Sequence, residues 1–197
     1  MTVWGRHHVR HALAGLALAA MALLAGCIAE SEHPIAASDP AKSDPRLWGS
    51  WLAEQEDGYM VAHVFATEKG GLQIALAEHD VEGIGKVDTY DAHATQLPSG
   101  DYLNVVVTGD EAGYVIGKYQ FDGTDKLMVW FPENDTLVQA VQGGKLAGTT
   151  KDEGGVTDVR ITASPEQWQA FLAKAPAEFF GEPTSFTRIG PAYVEQQ

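Results

Sequence analysis

The chain predicts a mainly β fold: an antiparallel, up-and-down barrel or sandwich with a C-terminal helix. Three observations carry this. Apolar residues recur with a period of two over short runs, turn residues return every eight to twelve positions, and connections are too short for helical crossovers until late in the chain. About eight short strands result, and a meander closing on itself joins them most simply while removing exposed sheet edges.

The strands follow in order. Leu47 to Leu52 holds two tryptophans and leads to a polar turn ending at Gly58. Tyr59 to Ala66 is β-rich and stops at Glu68-Lys69-Gly70-Gly71. Leu72, Ile74 and Leu76 alternate with Gln73, Ala75 and Ala77, the pattern of a half-buried strand. Lys86 to Gln96 is a more polar strand, turned by Pro98-Ser99-Gly100. Tyr102 to Thr108, Tyr114 to Phe121, and Leu127 to Phe131 come next, separated by Gly- and Asp-rich turns. After a polar loop, Val156 to Ala163 places Val159, Ile161 and Ala163 on one face.

Two helices interrupt the pattern. Asp135 can cap a short one, with Leu137, Val138 and Val141 on one face and Gly143-Gly144 ending it. The second is better signed. Ser164 is an N-cap, Pro165 occupies the first helical position, and Gln167 completes a capping box. Trp168, Phe171, Leu172 and Ala175 form its apolar face, which should pack on the sheet.

The N-terminus fixes a location. Arg6 and Arg10 precede an apolar run from Ala12 to Leu24, too short to span a bilayer, which needs roughly 20 apolar residues. Leu24-Ala25-Gly26-Cys27 follows, with Cys27 the only cysteine in the chain. This order of parts resembles the lipobox of bacterial lipoproteins. The resemblance implies a signal peptide over residues 1–26, cleavage between Gly26 and Cys27, and acyl chains on Cys27 as a membrane anchor. Arg6 and Arg10 are separated, so the general secretion route is the simpler one, and Ile28 in place of an aspartate leans towards the periplasmic face of the outer membrane.

Residues 27–45, with Pro34, Pro40 and Pro45 among Ala, Ser and Asp, read as a flexible tether, and residues 46–197 as one β-rich domain. Cleavage removes Arg6 and Arg10, leaving 11 basic against 27 acidic residues and a formal charge of -16. Such a surface argues against nucleic acid or anionic lipid as an electrostatic partner. With one cysteine, no disulfide forms within the chain, and packing alone must supply stability.

Gly49-Ser50-Trp51, at the start of the first strand, looks like the Gly-x-Trp signature of lipocalin-like barrels, whose tryptophan packs across the closed end. Gly100-Asp101-Tyr102 is a partial echo of a second motif of that family, Thr-Asp-Tyr. The domain is also similar to uncharacterised bacterial lipoproteins of the same strand pattern. The resemblance implies a cavity for a small apolar ligand, and Val105, Val107, Tyr119, Val129 and Ile161 are the candidate lining.

Catalytic chemistry finds little support. Gly-x-Ser-x-Gly, Ser-x-x-Lys, His-Glu-x-x-His and Walker motifs are absent, and the acidic turns lack the register of a calcium loop. Four histidines remain after processing: His33, His63, His79 and His93. Asp91 and His93 share a strand face, and a metal site with His79-Asp80 requires the fold to join them; the expectation is no metal and no cofactor. The sequence thus predicts a membrane-anchored, non-catalytic binding module for a small apolar ligand or a protein partner. A structural protein with a filled barrel is the alternative, and an unrecognised hydrolase ranks below both.

Overall fold

The computed structural model describes residues 29–80, 83–109, 112–153 and 156–190. The expected signal peptide and the Gly26–Cys27 processing site lie outside the described residues. Among the described residues eleven strands form: β1 (Glu30–Ser31), β2 (Gly49–Gln55), β3 (Gly58–Ala66), β4 (Leu72–Asp80), β5 (Gly83–Leu97), β6 (Gly100–Val107), β7 (Gly113–Asp122), β8 (Lys126–Trp130), β9 (Gly148–Glu153), β10 (Val156–Ile161) and β11 (Thr184–Gly190). Helix α1 spans Asn134–Gln142 and α2 spans Pro165–Leu172.

Strands β2 to β8 run as an antiparallel meander, and β11 enters between β8 and β2 to close an eight-stranded barrel. The fold class is therefore the expected one: mainly β, a closed up-and-down antiparallel barrel with a helix near the C-terminus. Its membership differs in one strand. Val156 to Ala163 was expected in the barrel, but β10 pairs with β1 and β9 instead. Residues 184–190 take the closing place.

Alternation builds the wall. Ala62 and Val64 of β3, Leu72 of β4, Leu103 of β6, Leu127 and Val129 of β8 and Phe186 of β11 point inward and form one apolar cluster. Tyr102 of β6 and Ile116 of β7 face outward and join a second cluster beneath the helices. That cluster holds Leu137 and Ala140 of α1, Val159 and Ile161 of β10, and Trp168 and Leu172 of α2. The Ser164–Gln167 capping box forms as expected. Helix α1 starts two residues earlier than Asp135 as a cap implies: Glu133 is its N-cap, and Asp135 sits in the first turn.

The β1–β10–β9 sheet grows from β7. The far edge of β7 pairs with β8 over Lys118–Asp122 and with β1 at Tyr114. A side chain at Gly113 would run into the Ser31 carbonyl, 2.6 Å from the position of its Cβ, so glycine lets β1 seat there.

The largest correction concerns residues 27–45. From residue 29 onward this segment is part of the folded domain, not a tether. Ile35 is fully buried, and its N–H donates to Asn104 Oδ1 at 2.7 Å. Ser31 Oγ accepts from Trp168 Nε1 at 2.9 Å, and His93 Nε2 lies 2.8 Å from the Ala36 carbonyl. Asp39 and Asp44 cap short 3-10 turns that begin at Pro40 and Pro45. Two of the three prolines that suggest an extended linker, Pro40 and Pro45, are thus the first residues of capped turns. The segment forms a strap over the outer face of β5 and β6 and then feeds into β2.

Candidate functional site

The barrel is plugged at one end and open at the other. The plug begins with the strap. Asp44 is 3% exposed and accepts from Arg46 Nε at 2.9 Å, from Arg46 Nη2 at 2.7 Å and from Tyr119 Oη at 3.0 Å. Burial pushes the Asp44 carboxyl up, but hydrogen bonds from Arg46 and Tyr119 outweigh it, leaving its pKa below the ordinary value. Burial, with Asp44 alongside, raises the Tyr119 phenol far above its ordinary range. The Arg46 guanidinium lies 4.6 Å over the Phe121 ring.

Trp51 completes the closure. Gly49, with φ of 122°, turns the chain into β2 in a conformation that favours glycine. The Trp51 side chain is fully buried, and its indole N–H donates to the Leu47 carbonyl at 2.8 Å. Arg188 of β11 lies 4.0 Å over the indole and donates to the carbonyls of Trp48 and Arg46, both at 2.7 Å. First and last barrel strands are thereby pinned together at this end.

Above the plug, a cavity of about 1590 Å³ runs through the interior and out to the open end. Leu72, Ile74 and Leu76 line one side, and Leu103, Val105, Val107, Leu127 and Val129 line the other. Ile74, Leu76, Val105 and Val107 are only half-buried although they face inward, which a filled barrel would not leave. Glu78 and Tyr90 add polar groups near the opening. Burial pushes the Tyr90 phenol up, and the neighbouring Asp88 adds to the shift.

The opening continues along the seam where β8 stops and β1 takes over the edge of β7. Ala29, Glu30, Lys151, Asp158 and Arg160 line that part. Arg160 pairs with Glu30 at 2.9 Å, and donates to the Ala112 carbonyl at 2.9 Å. An apolar interior under a rim of both charge signs can hold an apolar chain and leave a polar head at the opening.

Of the candidate lining residues, Val105, Val107 and Val129 face this cavity. Tyr119 belongs to the plug at its base. Ile161 is misplaced by the sequence reading, because β10 lies outside the barrel and turns Ile161 into the second cluster. Sequence reasoning missed Glu78 and Tyr90. Extending the Leu72, Ile74, Leu76 alternation by one step reaches Glu78, and Tyr90 shares a face with Ala92 and Ala94.

The histidines do not meet. Among them, His63 Nδ1 lies 2.8 Å from Ser50 Oγ, His79 stacks on Tyr59 at 4.5 Å, and His93 is covered by the strap. None of the three lines the cavity. Among the described residues, no group of three or more His, Cys, Asp or Glu could hold a metal. Among them, too, no helix is long and apolar enough to cross a membrane. Comparison with protein-family models, with curated proteins and with solved structures gives no match.

Proposed function

We propose that this chain is a lipid-anchored protein of the bacterial envelope whose barrel binds an elongated apolar or amphipathic molecule without transforming it. The observation that supports this most directly is the open interior: above the packed cluster at the plug, inward-facing aliphatic side chains line a cavity that, with the seam at its opening, measures about 1590 Å³. Empty apolar volume is costly to maintain, so a cavity of this size and lining reads as a site for an apolar guest. The filled-barrel alternative leaves this cavity without an explanation.

The anchor rests on Leu24-Ala25-Gly26-Cys27. Two or three acyl chains on Cys27 hold a protein at a bilayer without electrostatic help, which suits a surface this acidic. The absence of Asp after Cys27 favours the periplasmic face of the outer membrane.

Both parts are testable. Mass spectrometry of the protein extracted from membranes under native conditions should find acyl mass on Cys27 and a retained apolar molecule released on denaturation. Apoprotein that gives no fluorescence change with a polyene fatty-acid probe would remove the binding reading. Cys27→Ser should shift the chain from the detergent to the aqueous phase on partitioning. Unchanged partitioning would remove the anchor.

A further inference from the structure

We infer that the barrel draws its ligand directly from the bilayer: its open end faces the membrane, and its occupant is the acyl chain of a membrane lipid. The inference rests on the anchored, ligand-binding reading and adds the orientation and the source of the guest.

The carrying observation is the position of Ala29 and Glu30, which line the cavity at the seam beside its opening. Cys27 precedes Ala29 by two residues. Two peptide steps reach no more than about 7 Å. An acylated Cys27 at the bilayer surface therefore brings the cavity opening within that distance.

There is no slack downstream to undo this. Ser31 is held by Trp168 and paired with Ile161, and Ile35 is held by Asn104. A long tether would leave orientation free, whereas a two-residue link does not. The plug end lies further away by the height of β3, nine residues or about 30 Å along the strand and roughly 20–25 Å along the axis of a barrel with the usual strand tilt.

The chemistry of the opening agrees. Inside are aliphatic side chains; at the rim stand Glu30, Lys151, Asp158 and Arg160. An acyl chain in the interior would leave its headgroup among these charges. Direct transfer also avoids carrying methylenes through water, where each adds to the barrier. The acidic domain offers an anionic bilayer no attraction, so the covalent anchor sets the orientation.

The test uses the full lipidated protein in phosphatidylcholine vesicles containing a headgroup spin-labelled lipid. The native cysteine is consumed by acylation, so Glu56→Cys, Asp158→Cys and Lys69→Cys each give one labelling site. Glu56 and Asp158 mark the opening, and Lys69, in the turn after β3, marks the plug end. Fluorophores at positions 56 and 158 should be quenched at least threefold more than one at 69. Equal or stronger quenching at 69 overturns the orientation, and fatty-acid probe binding by the same sample shows whether the binding reading survives.

Uptake is read with a pyrene-acyl phosphatidylcholine in the vesicles. Transfer of monomeric pyrene into the protein, reduced at least fivefold by Val107→Trp, supports the lipid guest. Quenching at the opening without transfer overturns the occupant, as does native mass spectrometry showing only the acyl groups of Cys27.

Discussion

Asp44 is the residue on which the closed end of the barrel depends. It ties the strap to Arg46 and to Tyr119 of β7 while nearly excluded from water. Arg46 is about half exposed, so the pair is only partly desolvated, and the cost of losing it falls below that of a fully buried pair. Asp44→Ala should lower stability by about 1–3 kcal/mol, mostly from the buried Tyr119 hydroxyl left without its acceptor. Because the folded pKa of Asp44 lies below its unfolded value, its contribution is present above about pH 4 and is lost as pH falls through the folded value. Urea midpoints at pH 7 and pH 3 check both statements: the variant should show a flatter acid limb, and an unchanged one would remove Asp44 from the account. None of this was legible in the sequence. Asp44 stands in a polar, proline-bearing stretch, and its partner Tyr119 lies 75 positions away. The fate of Trp51, by contrast, followed from the Gly-x-Trp pattern.

At the level of elements, meander strands were readable because each has one wet or hollow face and one packed face, which stamps a period of two on the sequence. The strap and β11 were not, for opposite reasons. The strap conceals one decisive apolar residue, Ile35, in a composition that otherwise predicts disorder. Its order comes from partners supplied by distant strands, above all Asn104, which is fully buried. Strand β11 (Thr184–Gly190) offers one large inward residue, Phe186, and a bulge between Arg188 and Gly190, so its alternation is weak. Asn104 accepts from Ile35 N and donates to Thr95 Oγ1 at 2.9 Å. Replacing it by Leu leaves those buried groups unpaired, at about 2–4 kcal/mol. The loss should fall first on the strap. Limited proteolysis of Asn104→Leu should cut between residues 32 and 44 before the barrel, a pattern identified by fragment mass. Cleavage scattered through β2 to β8 at the same rate would show that the strap has no separate stability.

Across the whole molecule, two apolar clusters of different character share one wall. The second cluster is packed: Ile161 and Trp168 are almost completely buried between β10 and the helices. The first is packed only near the plug and is hollow above it, where Val105 and Val107 remain half-buried. The periodicity of the strands reads the same in both cases, because a side chain facing an apolar cavity and one facing a packed core obey the same alternation. Sequence therefore located the wall but could not tell a filled barrel from an empty one. Substitution can. Enlarging a side chain in a packed core forces strain costing typically 1–3 kcal/mol, whereas an open lumen accepts the added atoms. Ile161→Trp should therefore destabilise the protein by at least that range, while Val105→Trp should change stability by less than about 1 kcal/mol and abolish fatty-acid probe binding. Thermal or urea unfolding of the two variants, side by side with the probe titration, decides the matter. If Val105→Trp destabilises as much as Ile161→Trp, the interior is packed in solution, and the binding function loses its support.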